Sequence, residues 1–171
     1  MATSTALPTP TEPYVLHRDE GTHGHFLNHL ATLKSTTSTD GAMSIVEFVA
    51  PRGFGPPLHR HLDEDEVILV MEGEVVFRWG DAEMTAADGG MAYLPRAVPH
   101  SFQVLSHEAR LFTVTAAIDG RPRFDRFVAA LSVPTADPTM PEPSEVDPAR
   151  IAVVGGQHGI EILGPPPGPV T

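Results

Sequence analysis

The chain has 171 residues, 41% of them hydrophobic, and a net charge of −11 with histidine neutral. That is enough apolar material for one domain with a core. The negative field disfavours a phosphate backbone or an anionic membrane surface, so neither nucleic acid nor membrane is expected as a partner.

Cysteine is absent. Disulfides, thiolate metal sites and cysteine nucleophiles therefore drop out. No apolar run is long enough to span a bilayer. The opening MATSTALPTPTEP has neither a basic n-region nor an apolar h-region, and a cytoplasmic location is expected. Eighteen prolines and fifteen glycines suit short strands joined by many turns.

In chain order, residues 1–14 are rich in Thr, Pro and Ser and are expected to form a flexible arm, free or lying on a partner subunit. Residues 15–118 read as a barrel of short strands. HFLNHLATLKS is expected to be one strand, TTSTDG a turn and AMSIVEFVA the next strand. EVILVM and EVVFRW flank Glu72-Gly73, which reads as a compact hairpin connection. Asp81, Asp88-Gly89 and the Pro95–Pro99 stretch punctuate the strands that follow, and HSFQVL and RLFTVTAAI complete the series.

Residues 119–171 have a different texture and are expected to pack on the barrel as a C-terminal extension. RFDRFVAAL places Phe124, Phe127, Val128 and Leu131 on one helical face. A proline-rich linker follows. Asp147 reads as an N-cap with Pro148 at the first helical position, and the helix is expected to stop at Gly155-Gly156. The apolar IEIL segment is expected to contribute to a homodimer.

The chemistry concentrates between Gly53 and Gly73. His59 and His61 are two apart, so on a strand both imidazoles point to one face. Glu66 follows His61 by an odd offset. A bend within Leu62–Asp65 would return its carboxylate to the same side. His100 sits after a proline-bounded loop and opens a strand. Three imidazoles and a carboxylate suit Fe, Ni, Co, Mn or Zn.

Other residues have blander readings. His23, His25 and His29 allow a second metal site, but solvent-facing histidines are the stronger expectation. His107 and His158 read as ordinary. Asp63, Glu64 and Asp65 read as an acidic surface loop. Arg52, Arg60 and Arg96 flank the ligand segments and are expected to be solvated or paired at the rim rather than to hold an anionic substrate. Phe102 shares parity with His100, and it is expected to line a substrate pocket together with Met91 and Tyr93.

The two segments resemble the cupin motifs. Gly53, His59, His61, Glu66 and Gly73 fit every fixed position of G-x5-H-x-H-x3,4-E-x6-G. Gly89, Pro95 and His100 fit G-x5-P-x-G-x2-H-x3-N, with Ala97 and Val104 replacing its second glycine and its asparagine. The resemblance implies an all-β fold, a double-stranded β-helix or jelly-roll barrel with a short helical C-terminal extension. It implies His59, His61, Glu66 and His100 as ligands of one divalent transition metal.

The chain is also similar to single-domain cupins of the quercetin dioxygenase type. This implies a metal-dependent dioxygenase that takes an aromatic or flavonol-like small molecule and dioxygen, with Glu66 as ligand and catalytic base. It also implies a homodimer. The alternatives are a non-redox cupin enzyme (isomerase, cyclase or decarboxylase) or a small-molecule-binding cupin without turnover.

Overall fold

The computed structural model describes residues 12–35 and 41–170. Most of the expected arm, residues 1–14, and most of the TTSTDG turn lie outside the described residues. The strands are β1 (Thr22–Phe26), β2 (His29–Leu33), β3 (Ser44–Pro51), β4 (His59–His61), β5 (Glu64–Glu72), β6 (Glu74–Trp79), β7 (Ala82–Ala87), β8 (Met91–Leu94), β9 (Ser101–Val104) and β10 (Glu108–Ala117). After them come α1 (Phe124–Leu131), β11 (Ser132–Pro134), α2 (Pro148–Gln157) and β12 (Ile160–Ile162).

Strand alternation builds the barrel. Along β10 the inward residues Ala109, Leu111, Thr113 and Thr115 are buried, while the residues between them are more exposed. One seven-stranded sheet runs β11-β1-β2-β3-β10-β5-β8, and a three-stranded sheet runs β7-β6-β9. β12 pairs with β4, and an isolated bridge joins His59 to His100 just before β9. The two smaller groups thereby form the second face of an all-β jelly roll. Between the faces lie Val46, Phe48, Ile68, Val70, Val75, Phe77, Val104 and Leu111.

Two expected connections are overturned. HFLNHLATLKS is a hairpin, because the chain turns at Leu27-Asn28, both with positive φ (48° and 68°), and Phe26 pairs with His29. No glycine marks that turn, so the segment reads as continuous. β5 and β6 are not a hairpin. β5 pairs with β10 and β8, whereas β6 pairs with β7 and β9, so the chain crosses between faces at Gly73. Gly73 has φ 97°, and a Cβ there would sit 2.6 Å from the Glu108 carbonyl oxygen. Only glycine fits both demands.

The C-terminal segments lie against these sheets. Phe124, Phe127, Val128 and Leu131 of α1 are buried, and Phe127 meets Phe26 edge-on at 5.7 Å between centroids. The Arg123 backbone N–H donates to Glu64 Oε1 at 2.6 Å and ties the start of α1 to β5. Glu64 is therefore buried, and Asp65 pairs with Arg96 at 3.2 Å, so Glu64-Asp65 is strand and not the expected acidic loop. Asp147 caps α2, accepting from the Ala149 N–H at 2.9 Å. The helix continues through Gly155-Gly156 instead of stopping there. A Cβ on Gly155 would lie 3.0 Å from the Ile160 carbonyl oxygen, so this glycine serves close packing of α2 on β12. That tertiary need overrides its poor helix propensity.

The IEIL segment is used within the chain. Ile160 and Ile162 pair with His61 and His59. Leu163, the last residue of the segment, stays 41% exposed. Truncation after Ile118 removes this strand and the Phe124–Phe127 cover, each phenylalanine accounting for about 1.5–3 kcal/mol of burial. The truncated protein is expected to be insoluble or metal-poor. Soluble yield and metal content measure this, and a soluble, fully metallated product would contradict it.

Candidate metal centre

β4 is three residues long and presents His59 and His61 to the interior with Arg60 between them facing out, where it pairs with Glu161 at 2.7 Å. A bend at Leu62-Asp63 changes the parity, and β5 then carries Glu66 inward, 4% exposed. The loop before β9 delivers His100, held against β4 by reciprocal backbone hydrogen bonds of 3.1 and 2.8 Å with His59. One donor atom from each of His59, His61, Glu66 and His100 lies within 4.8 Å of all the others. Among the described residues, these four are the histidines and acids gathered in this way.

The donor set fits a divalent metal. The Nδ1–H groups of His59 and His100 donate to the Pro57 and Val98 carbonyls at 2.8 and 2.9 Å. A carbonyl only accepts, so His59 Nε2 keeps its lone pair for an ion, and His100 Nε2, 3.1 Å from Glu66 Oε2, would offer its own on giving up the proton it directs at that carboxylate. His61 Nε2 is buried without a hydrogen-bond partner, which is costly unless something binds it.

Electrostatics reinforce this. Burial first, then the neighbouring His100 and His61, push the His59 imidazole down to about 3, and burial also lowers His61. Burial would raise Glu66, but His61 and the hydrogen bond with His100 outweigh it and hold its carboxyl at about 2. Burial opposes protonation of His100, yet its 3.1 Å contact with Glu66 Oε2 raises it. The site thus sets His59 and His61, both pushed toward the neutral form by burial, beside a His100–Glu66 pair whose carboxylate is ready as a hard oxygen donor.

His59 and Glu66 open onto a cavity of about 330 Å³. Its walls are phenylalanines from the barrel and α1 and prolines from the C-terminal tail, among them Phe48, Phe54, Phe102, Phe124, Pro166 and Pro167. The Gln103 side chain tethers the tail through a 2.6 Å bond to the Gly168 carbonyl.

The structure brings Phe102 to this cavity and leaves Met91 and Tyr93 out of it. Tyr93 pairs with Val67 and Met91 with Leu69, the outward residues flanking Ile68, while Leu94 pairs with the inward Glu66. Met91 and Tyr93 are each 55% exposed and border a separate outer groove. The expected inward position of both is overturned; β8 takes the opposite parity because Leu94, not Tyr93, is in register with Glu66.

Arg52 donates to the Leu105 carbonyl, so like Arg60 and Arg96 it is engaged in the fold. His23 and His29 are buried, 2% exposed each, contrary to the expected solvent-facing position. His23 packs on β2 through Thr32, and His29 lies among phenylalanines in the cavity wall. β12 and His29 are the parts of the site that sequence reasoning missed. Nothing local marks a strand partner a hundred residues away.

Ala97 replaces the second motif's glycine and takes φ 63°. Its N–H donates to the His61 carbonyl at 2.6 Å, so the strained turn holds the ligand strand. A left-handed non-glycine residue costs roughly 1–2 kcal/mol, and glycine costs about 0.5–1 kcal/mol in chain entropy. Ala97→Gly is expected to stabilise the protein by about 0.5–1 kcal/mol, a rise of roughly 2 °C in Tm. A lower Tm in a thermal melt would count against this account.

A cupin domain family model matches residues 45–115, the span from β3 to β10 that carries all four candidate ligands. With this jelly roll and its inward His3Glu set, the chain carries a cupin domain and resembles quercetinases. It is 32% identical over 111 residues to the quercetin 2,3-dioxygenase of Bacillus subtilis (strain 168). That alignment covers 64% of this chain but 33% of the relative, so the chain spans about a third of its length.

Among solved structures, TT1209 from Thermus thermophilus is 34% identical, with 44% of this chain and 72% of that one covered and a TM-score of 0.42. Oxalate decarboxylase from Bacillus subtilis is 20% identical, covering 56% of this chain and 26% of that one, with a TM-score of 0.50, a likeness of fold alone. Among the described residues, no helix is long and apolar enough to cross a membrane.

Proposed function

We propose that this protein is a metal-dependent dioxygenase that opens the ring of an aromatic, flavonol-like substrate. The observation that carries the reading is the His59–His61–Glu66–His100 set at the base of a phenylalanine-walled cavity. The similarity to quercetin 2,3-dioxygenase supports it. His59, His61 and His100 would hold one divalent ion (Fe, Ni, Co, Mn or Zn) through neutral nitrogens, and Glu66 through an oxygen. Such an ion supplies Lewis acidity, which lowers the pKa of a bound hydroxyl.

The chain's own groups do the rest. Glu66 faces the cavity and takes the proton of the substrate hydroxyl as it binds. The aromatic and proline walls clasp a flat apolar molecule and exclude water from the reacting centre. For a flavonol, the two atoms of dioxygen are incorporated as the ring opens to a depside, and one ring carbon leaves as carbon monoxide.

The test is oxygen uptake by metal-loaded protein against flavonols and simple phenols. Stoichiometric uptake with carbon monoxide release is expected for flavonols. Unchanged turnover under strict anaerobiosis would reject oxygen chemistry in favour of isomerase, cyclase or decarboxylase action. We also propose a homodimer, now through the outer sheet surface, where Met71, Met84, Met91 and Tyr93 are exposed. Light scattering at tens of micromolar should return twice the chain mass, and a monomer would refute it.

A further inference from the structure

We propose that His29 is a specificity-determining residue: its Nε2 accepts a hydrogen bond from a substrate hydroxyl remote from the one held at the metal site, which selects aromatics with such a second hydroxyl. The inference rests on the aromatic-substrate reading above and deepens it.

His29 opens β2, is 2% exposed and forms part of the cavity wall. Three phenylalanine rings surround it: Phe54 at 4.1 Å, and Phe26 and Phe48 at 5.1 Å each between centroids. Its Nδ1–H donates to the Leu27 carbonyl at 3.2 Å, at the tight turn that starts the strand. That bond sets the tautomer and leaves Nε2 with the lone pair. Burial holds the imidazole down to about 4, so the ring is neutral near pH 7 and its free nitrogen is an acceptor only.

Unlike the Nε2 atoms of His23 and His61, that of His29 is not sealed off without a partner, and the residue lines the cavity, so a donor entering there can reach it. A leucine or phenylalanine in its place would offer no acceptor. The remaining polar side chains of the wall outside the ligand set do not compete for the role. Asn28 is committed to Ser144, donating to its carbonyl at 2.8 Å and accepting from its N–H and hydroxyl at 2.9 Å each. Thr113 has a rotatable hydroxyl that donates or accepts, so it does not discriminate. His29 is the wall group fixed as an acceptor. Its ring contacts are with Phe26, Phe48 and Phe54, whereas the rings of the candidate ligand histidines meet one another and Phe124, so His29 has no ring contact with that set and is linked to it through the Phe48–Phe124 pair.

The experiment is anaerobic titration of zinc-loaded full-length protein with 3-hydroxyflavone and 3,4′-dihydroxyflavone, followed by absorbance. The wild type is expected to bind the dihydroxy compound about 5–10-fold more tightly, the value of one neutral hydrogen bond in a dry site. In His29→Phe that ratio should fall to near one. In the wild type, the ¹⁵N resonance of His29 Nε2 should shift with the dihydroxy ligand and stay in place with the other, a readout that needs no variant. Equal affinities in the wild type, an unshifted resonance or an unchanged ratio in His29→Phe would each overturn the role of His29 while leaving the aromatic-substrate reading standing. Failure of both flavonols to bind would overturn that reading and the inference together.

Discussion

In metal-loaded Glu66→Gln protein, turnover is expected to fall by roughly 10²–10⁴, the usual loss when a general base is removed. The side chain keeps its size and one oxygen donor, so at least part of the metal should remain. What disappears is the charge and the proton acceptor. Glu66 is buried near the start of β5, opposite Leu94 on one side and Thr115 on the other, and its Oε2 lies 3.1 Å from His100 and 3.6 Å from His61. Those neighbours hold its carboxyl at about 2, so above that pH it is an anion facing the cavity. Initial rates measured beside metal content in the same sample decide the matter. Full turnover at full metal occupancy would remove the base role. Replacing His59, His61 or His100 by Ala should instead abolish metal binding and activity together.

Glu47→Ala should be the most damaging change away from the site. Glu47 is 3% exposed on the outer face of β3 and pairs with Lys34 at 2.8 Å and with Arg110. Lys34 Nζ also donates to the carbonyls of Arg18 and Glu20 at 2.8 and 2.7 Å, and Tyr14 donates to the Lys34 carbonyl. The triad therefore pins residues 14–20 across the sheet. Removing the one carboxylate leaves two cations with little access to water, and breaking a buried pair in this way costs about 3–5 kcal/mol. A drop of roughly 10 °C or more in Tm is expected for a chain of this size. A loss below about 1 kcal/mol in denaturant unfolding would show that solvent reaches the triad after all.

The barrel, its metal-ligand candidates and the helical face of α1 were all legible from local pattern. His59 and His61 share a face because strand alternation has period two, and Glu66 rejoins them because the chain bends at Leu62-Asp63 and so shifts the alternation by one. Asp147-Pro148 marks a helix start through capping chemistry that acts within one turn. These properties depend on neighbours a few residues away, so the amino-acid order determines them directly.

Pairing partners and register are different, since they are settled between segments far apart in the chain. Tyr93 and Met91 face outward only because β8 meets β5 with Leu94 opposite Glu66; a shift of one residue would have put both inside. Gly73 looks like a hairpin turn, but β6 finds its ladder on β9 and β7 in the other sheet. The IEIL segment becomes a partner of the ligand strand, and His29 a cavity wall, through contacts that only the closed barrel creates. The sequence by itself determined which side chains can bind a metal and how each strand alternates. The tertiary structure decided which of the remaining side chains share the cavity with them, because facing direction depends on register and register on long-range pairing.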